Sequence, residues 1–252
     1  MNRVPLLLAN WKMHGTLAEA VPLASQVRDG VRGIEGVEVA LCPPFTALGV
    51  VAKLLRSSSV FLGAQDCHWE TRGPFTGEVS PGMLAEVGCR YVLVGHSERR
   101  QFFGETNERC LRKVRAALQH GLTPVLCVGE SFDQREHGET WEVVESQLQE
   151  GLQGIEGPVV IAYEPIWAVG TGVNATPAQA VEVHGRIRRW LGEVWGKEGA
   201  AATRIIYGGS IKPENFGALI GEEEIDGGLV GGASLDAGSF VRLVELAARI
   251  VT

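Results

Sequence analysis

The chain is 252 residues long, 45% hydrophobic and 21% charged, and carries a formal net charge of −7. That length can bury a substantial core without disulfides, the composition is ordinary for a globular protein, and the acidic balance offers no bulk field for nucleic acid or an anionic membrane. The 5 cysteines (Cys42, Cys67, Cys89, Cys110, Cys127) form no CxxC pair, and their odd number and scattered spacing argue against a disulfide framework or a zinc site.

The start of the chain, Met1 to Pro5, runs directly into Leu6-Leu7-Leu8. It shows neither a signal-peptide pattern nor a membrane-length apolar run of roughly 18 residues. A cytoplasmic protein with no membrane association is therefore expected.

Short apolar runs then recur, at residues 5–10, 37–42, 60–65, 91–95, 124–129, 159–164, 204–208 and 228–230. Several are continuously rich in Val, Ile and Leu instead of alternating, as a parallel strand covered on both faces should be. The last is short and glycine-rich. Amphipathic segments lie between them. Residues 107–120 put Cys110, Leu111, Val114 and Leu118 on one face, and residues 140–152 place Val144, Gln147, Leu148 and Leu152 behind acidic side chains. Thr176-Pro177 supplies an N-cap and a first-turn proline for a helix continuing through Val181, His184, Ile187 and Leu191. A final helical pattern covers residues 235–251.

Eight strand–helix units in one chain predict an α/β fold of the (β/α)8 barrel type, formed by residues 1–252 as a single domain. A doubly wound open sheet is the rival, but no Gly-x-Gly-x-x-Gly follows the first run. In a barrel the strand C-termini converge on one face, where loops build a site. Asn10, Lys12, Gln65, His96, Cys127, Glu164, Ser210 and Gly231 all fall at or just past strand ends. Core packing gives no reason to place Asn, Lys, His and Glu there.

Glu164 ends a buried run and opens the loop Pro165-Ile166-Trp167-Ala168-Val169-Gly170-Thr171-Gly172. A carboxylate so placed suits a base that takes a proton from carbon beneath a closing lid. Pro165 stiffens one end of that lid, Gly170 and Gly172 can absorb backbone rotation at the other, and Ile166, Trp167 and Val169 need something to cover. His96 precedes Ser97-Glu98-Arg99-Arg100, which reads as a helix start, so the N-terminal dipole should disfavour its cation. Gly208-Gly209-Ser210 and Gly231-Gly232 follow the last two runs, where backbone amides can hold an anion. Lys12 would add charge to the same mouth and Asn10 a hydrogen-bond donor.

Taken together, Asn10-Trp11-Lys12-Met13, Gly95 to Arg100, Ala162 to Gly172, Tyr207-Gly208-Gly209-Ser210 and Leu229 to Ala233 resemble the triosephosphate isomerase family in order and spacing over the whole chain. The resemblance implies interconversion of dihydroxyacetone phosphate and D-glyceraldehyde 3-phosphate through an enediolate, without cofactor or metal, in glycolysis and gluconeogenesis. It implies Glu164 as base, neutral His96 as electrophile, Lys12 and Asn10 beside the substrate oxygens, and Glu98 supporting Lys12. Phosphate contacts would come from Gly170, Ser210, Gly231 and Gly232. It further implies a homodimer through the loop of residues 66–79 (Asp66 to Val79), with Thr76 reaching the partner's Asn10 and the partner's Lys12.

Three positions depart from the family pattern: Asp66 where asparagine is usual, Pro74 where a small residue is usual, and Val173 in place of a common lysine. Three other readings use the same residues. A retaining glycosidase would pair Glu98 with Glu164, a Schiff-base aldolase would use Lys12, and a phosphosugar-binding module would need only Ser210 and the Gly231-Gly232 pair.

Overall fold

The computed structural model describes residues 3–168 and 175–250. The predicted lid residues Val169, Gly170, Thr171 and Gly172, and the departure at Val173, lie outside the described residues.

The strands are β1 (Leu6–Asn10), β2 (Glu38–Cys42), β3 (Val60–Ala64), β4 (Cys89–Val94), β5 (Thr123–Val128), β6 (Val160–Tyr163), β7 (Ile205–Tyr207) and β8 (Gly227–Val230). They form a closed barrel in sequence order. Every pairing is parallel, and β1 closes on β8 with Leu6 opposite Gly227 and Leu8 opposite Leu229. The helices are α1 (Leu17–Gly30), α2 (Phe45–Leu55), α3 (Pro81–Val87), α4 (Ser97–Phe103), α5 (Asn107–Gln119), α6 (Phe132–Glu136), α7 (Thr140–Gly151), α8 (Pro177–Ala202), α9 (Pro213–Ile220) and α10 (Ala237–Ala248). This is the (β/α)8 barrel that the apolar runs predict.

Each strand buries both faces, which is why its sequence does not alternate. Leu6, Leu8, Leu93, Val125, Cys127, Val160, Ala162, Ile206 and Leu229 pack together in the barrel interior. Their neighbours Leu7, Ala9, Val92, Val94, Leu126 and Ile161 belong instead to the layer shared with the helices. The inward parity continues past the strand ends. After Leu6 and Leu8 the next inward place is Asn10; after Val160 and Ala162 it is Glu164; after Ile206 it is Gly208, and after Leu229 it is Gly231. A two-residue period thus aims these groups at the mouth.

The glycine-rich eighth run is a strand because its neighbours leave no room for side chains. A Cβ on Gly227 would come 1.9 Å from the Leu6 carbonyl oxygen, and one on Gly228 would come 2.7 Å from Ile211 Cδ1. Two helices differ from the periodicity. Gly196, at φ 74°, interrupts the long α8. The final segment starts later than predicted: Gly232–Leu235 form a 3₁₀ turn and α10 begins after Asp236, whose carboxylate accepts the Ser239 N–H as an N-cap.

Candidate active site

A cavity of about 570 Å³ at the C-terminal mouth is lined by Asn10, Lys12, His96, Glu164, Gly208 to Ser210, and Gly231-Gly232. The structure thus gathers every described residue proposed for chemistry or phosphate contact, except Glu98, around one cavity. Glu98 reaches it through Lys12.

Lys12 takes a left-handed backbone conformation with φ 52°, a sparsely populated region for a residue with a side chain. Three contacts hold it there. Its N–H donates to Asn10 Oδ1 at 3.0 Å, its carbonyl accepts from Gln65 Nε2 at 2.8 Å, and its Nζ donates to Glu98 Oε1 at 2.6 Å. Gln65 Nε2 also reaches the Cys42 carbonyl, at 2.8 Å, tying the turn to β2. The lysine stem crosses Gly231, where a Cβ would lie 3.2 Å from Lys12 Cε. With Oδ1 engaged, Asn10 keeps its Nδ2 as the donor end of the carboxamide.

His96 is the N-cap of α4, and its Nδ1 accepts the Glu98 N–H at 3.2 Å. An acceptor nitrogen carries no proton, so the ring proton resides on Nε2. That nitrogen lies 3.0 Å from Glu164 Oε1. Glu164, only 2% exposed, receives the Ser97 N–H on Oε2 at 2.9 Å. Burial disfavours the imidazolium while the Glu164 carboxylate favours it, and the balance lies above the ordinary histidine value. For Glu164, burial raises the pKa, but the His96 contact and the Ser97 N–H outweigh it and hold the carboxyl below the ordinary range. The helix start alone predicts a downward shift for His96. The neighbouring carboxylate reverses its sign in this arrangement.

Two close backbone approaches frame Glu164. A Cβ on Gly129 would come 1.8 Å from the Glu164 carbonyl oxygen, and one on Gly208 would come 2.7 Å from Glu164 Cγ. Backbone therefore bars any side chain at Gly129, whereas at Gly208 a methyl group would push against the Glu164 side chain itself. The loop after it begins with a 3₁₀ turn over Ile166–Ala168. Trp167 Nε1 donates to the fully buried Glu130 at 3.0 Å, and Ile166 N–H donates to the Glu130 carbonyl at 3.0 Å. Tyr163 and Arg135 also donate to the Glu130 carboxylate.

On the opposite wall, Ser210 N–H donates to the Ala168 carbonyl at 3.0 Å, and Asn215 Nδ2 donates to the Ser210 carbonyl at 3.0 Å. The Gly231 carbonyl accepts both the N–H and the hydroxyl of Ser234, which fixes the turn that presents Gly232. Among the described residues no group of three or more His, Cys, Asp or Glu side chains could hold a metal ion.

Thr76 is exposed and does not line the cavity of its own chain. Asp66 is buried with two cations, Lys113 Nζ at 2.6 Å and Arg99 Nη2 at 2.9 Å, and Glu105 shares both. The aspartate departure therefore completes a set of two carboxylates and two cations in which only Arg99 is partly exposed. Sequence reasoning missed Glu130, Gln147, Asn215 and Lys113. Glu130 carried a usable signal, because it follows an apolar run as Glu164 does; the others act across helix–strand packing that periodicity does not register.

The family model described as Triosephosphate isomerase matches residues 5–247. Among curated relatives, the triosephosphate isomerase of Chloroflexus aurantiacus is 52% identical over 249 residues, covering 96% of this chain and 99% of the relative. That of Thermoanaerobacter sp. strain X514 is 52% identical over 247 residues, covering 96% and 99%. Among solved structures, triosephosphate isomerase from Bartonella henselae superposes with a TM-score of 0.90 at 34% identity, covering 96% of this chain and 98% of that one.

Proposed function

The chain belongs to the triosephosphate isomerase family and carries its isomerase activity on glycolytic phosphosugars, and from that premise we propose that Glu164 transfers the proton while His96 serves the substrate oxygens. The observation that carries this reading is the pairing of a buried carboxylate with a histidine N–H at 3.0 Å on the wall of the mouth cavity.

Interconverting dihydroxyacetone phosphate and D-glyceraldehyde 3-phosphate requires a proton to leave one carbon and reach its neighbour, with charge developing on oxygen between the two events. Substrate entry displaces Glu164 from Ser97 N–H and His96 Nε2. The carboxylate then faces the carbon acid, and Nε2–H donates to the substrate oxygens. Losing the carboxylate removes the largest influence that raises the His96 pKa. Burial and the α4 N-terminus remain, and both favour the neutral ring. Lys12 Nζ and Asn10 Nδ2 stabilise the enediolate, with Glu98 holding Lys12 in place.

The phosphate lies against the amides of Ser210, Gly231 and Gly232, with Gly170 adding another from the lid. Ser210 N–H must leave the Ala168 carbonyl to take part, which links phosphate capture to movement at the lid's first turn. The reading needs no cofactor. Residues 1–252 act as one catalytic domain.

The working form in this reading is a cytoplasmic homodimer. Residues 71–78 form a continuously exposed loop tip, and Met13, beside Lys12, is 94% exposed. Phe75, Met83, Phe102 and Phe103 are further exposed apolar side chains. A second copy would cover them, with Thr76 meeting the partner's Asn10 and the partner's Lys12. The free and buried cysteines suit a reducing compartment, and among the described residues no helix is long and apolar enough to cross a membrane.

Steady-state isomerisation by the protein, Glu164→Asp and Glu164→Gln tests the assignment of the base. The shorter acid should lose turnover by roughly 10² and the amide by up to about 10⁴. Turnover in Glu164→Gln equal to the parent would remove Glu164 from the reaction.

A further inference from the structure

We propose that Gln147, on the outer helix α7, is a positioning residue for the base, acting through Gly129. This rests on the reading of Glu164 as the base and deepens it.

β5 ends at Val128, so Gly129 lies beyond the strand ladder, yet it is buried. Its two backbone groups need partners. One side chain supplies both. Gln147 Oε1 accepts the Gly129 N–H at 2.7 Å, and Gln147 Nε2 donates to the Gly129 carbonyl at 3.1 Å. A carboxamide offers one acceptor and one donor side by side, which matches the two groups of a single residue as a neighbouring strand would.

The clamped residue is the wall on which Glu164 rests. The space a Cβ would take at Gly129 is occupied by the Glu164 carbonyl carbon and oxygen, at 2.6 and 1.8 Å. The ladder continues on the same side, with Glu164 N–H donating to the Val128 carbonyl at 2.7 Å and Ile166 N–H to that of Glu130. Residues 128–130 thus set the position of the peptide that carries the base. Gln147 holds the middle of that segment from outside the barrel. Released, Gly129 can rotate its peptide and shift the Glu164 backbone, and a displacement near 1 Å at a reacting group lowers turnover by up to about 10².

Gln147 is remote from the phosphate wall formed by β7 and β8, and it does not line the mouth cavity. The clamp should therefore govern turnover and leave phosphate binding alone. Gln147→Met keeps the length and volume of the side chain and removes both hydrogen bonds. Expected is a roughly 10- to 100-fold fall in kcat per folded enzyme. KM for D-glyceraldehyde 3-phosphate and inhibition by inorganic phosphate should stay within about twofold. D-glyceraldehyde, which lacks the phosphate, should lose turnover by the same factor. Gln147→Glu, which keeps only the acceptor, is read the same way if the methionine variant does not fold.

Combining Gln147→Met with Glu164→Asp separates the two claims. If Gln147 acts through the base, the double variant should be little slower than Glu164→Asp alone. Unchanged kcat in a folded Gln147 variant overturns the positioning role. So does a parallel rise in KM and in the phosphate inhibition constant, which would mark a general loosening of the pocket. Full activity in Glu164→Asp alone would overturn the assignment of the base instead.

Discussion

Glu164 Oε1 lies 3.0 Å from His96 Nε2, so the proposed base and the proposed proton donor are hydrogen-bonded to each other. The contact explains how a carboxylate that is 2% exposed can remain ionised. It also sets the linkage between the two titrations. With its folded pKa lowered, Glu164 contributes stability above the unfolded carboxylate value of 4.5, lost as pH falls through the folded value. With its folded pKa raised, His96 contributes stability below the unfolded value of 6.5, lost as pH rises through the folded value. Both contributions are present together between those two unfolded values. In Glu164→Gln the largest influence raising His96 is gone; burial, with Lys12, then outweighs the remaining Glu98 carboxylate and pushes the titration down. Following the His96 ring protons by NMR should show a lower midpoint in the variant; an unchanged midpoint would mean that the carboxylate does not govern the ring.

His184 gives a separate pH dependence. It is fully buried between α8 and the barrel, its Nδ1 lies 3.0 Å from the Glu224 carbonyl, and among the described residues its Nε2 has no hydrogen-bond partner. Burial pushes its pKa down to about 4 from 6.5, against the opposing influence of the Glu224 carbonyl and Asp226. The unfolded chain therefore takes up a proton between these values and the folded chain does not. Stability falls with falling pH across that window, by about 3 kcal/mol in all, at about 1.4 kcal/mol per pH unit. Urea unfolding from pH 7 to 4 should show a steeper loss in the parent than in His184→Asn. Equal slopes would place the acid sensitivity elsewhere.

Gly208→Ala places a methyl group 2.7 Å from Glu164 Cγ, so the side chain must shift. Because the obstacle is a side chain and not backbone, the stability loss should stay within about 1–3 kcal/mol. The proportional loss in kcat should exceed the change in KM. A variant with parental kcat would show that the base tolerates displacement from β7.

Met13→Asp tests the second copy. A carboxylate on a residue that is 94% exposed should leave the isolated chain folded. Buried in an apolar interface, the same carboxylate should drive dissociation. Sedimentation is expected to show a lighter species with reduced activity. A dimer of unaltered affinity would move the interface away from this face.

The barrel was legible because each strand buries both faces, which left continuous apolar runs at regular intervals. The inward parity that carries Leu6 and Leu8 on to Asn10, and Val160 and Ala162 on to Glu164, was equally present in the sequence. The two-glycine opening of β8 was not: its cause is the nearness of Leu6 and Ile211, which only the closed barrel creates. Asp66 stood out as a departure, but its partners Lys113 and Arg99 lie 47 and 33 residues away and no spacing rule joins them. The same holds for Gln147, whose helical pattern revealed a buried face but not that one amide clamps Gly129. The neutral-histidine expectation rested on the helix start and left out the carboxylate that lies beside the ring.

The most direct test of the account is the isomerisation of D-glyceraldehyde 3-phosphate in heavy water, followed by NMR for the parent protein and for Glu164→Gln. Proton transfer through a carboxylate that exchanges with solvent predicts deuterium at the carbon that receives the proton in the dihydroxyacetone phosphate formed by the parent. It predicts neither label nor turnover above about 10⁻⁴ of the parent in the variant. Rapid product formation without label, or label entering at the parental rate without the Glu164 carboxylate, would contradict it.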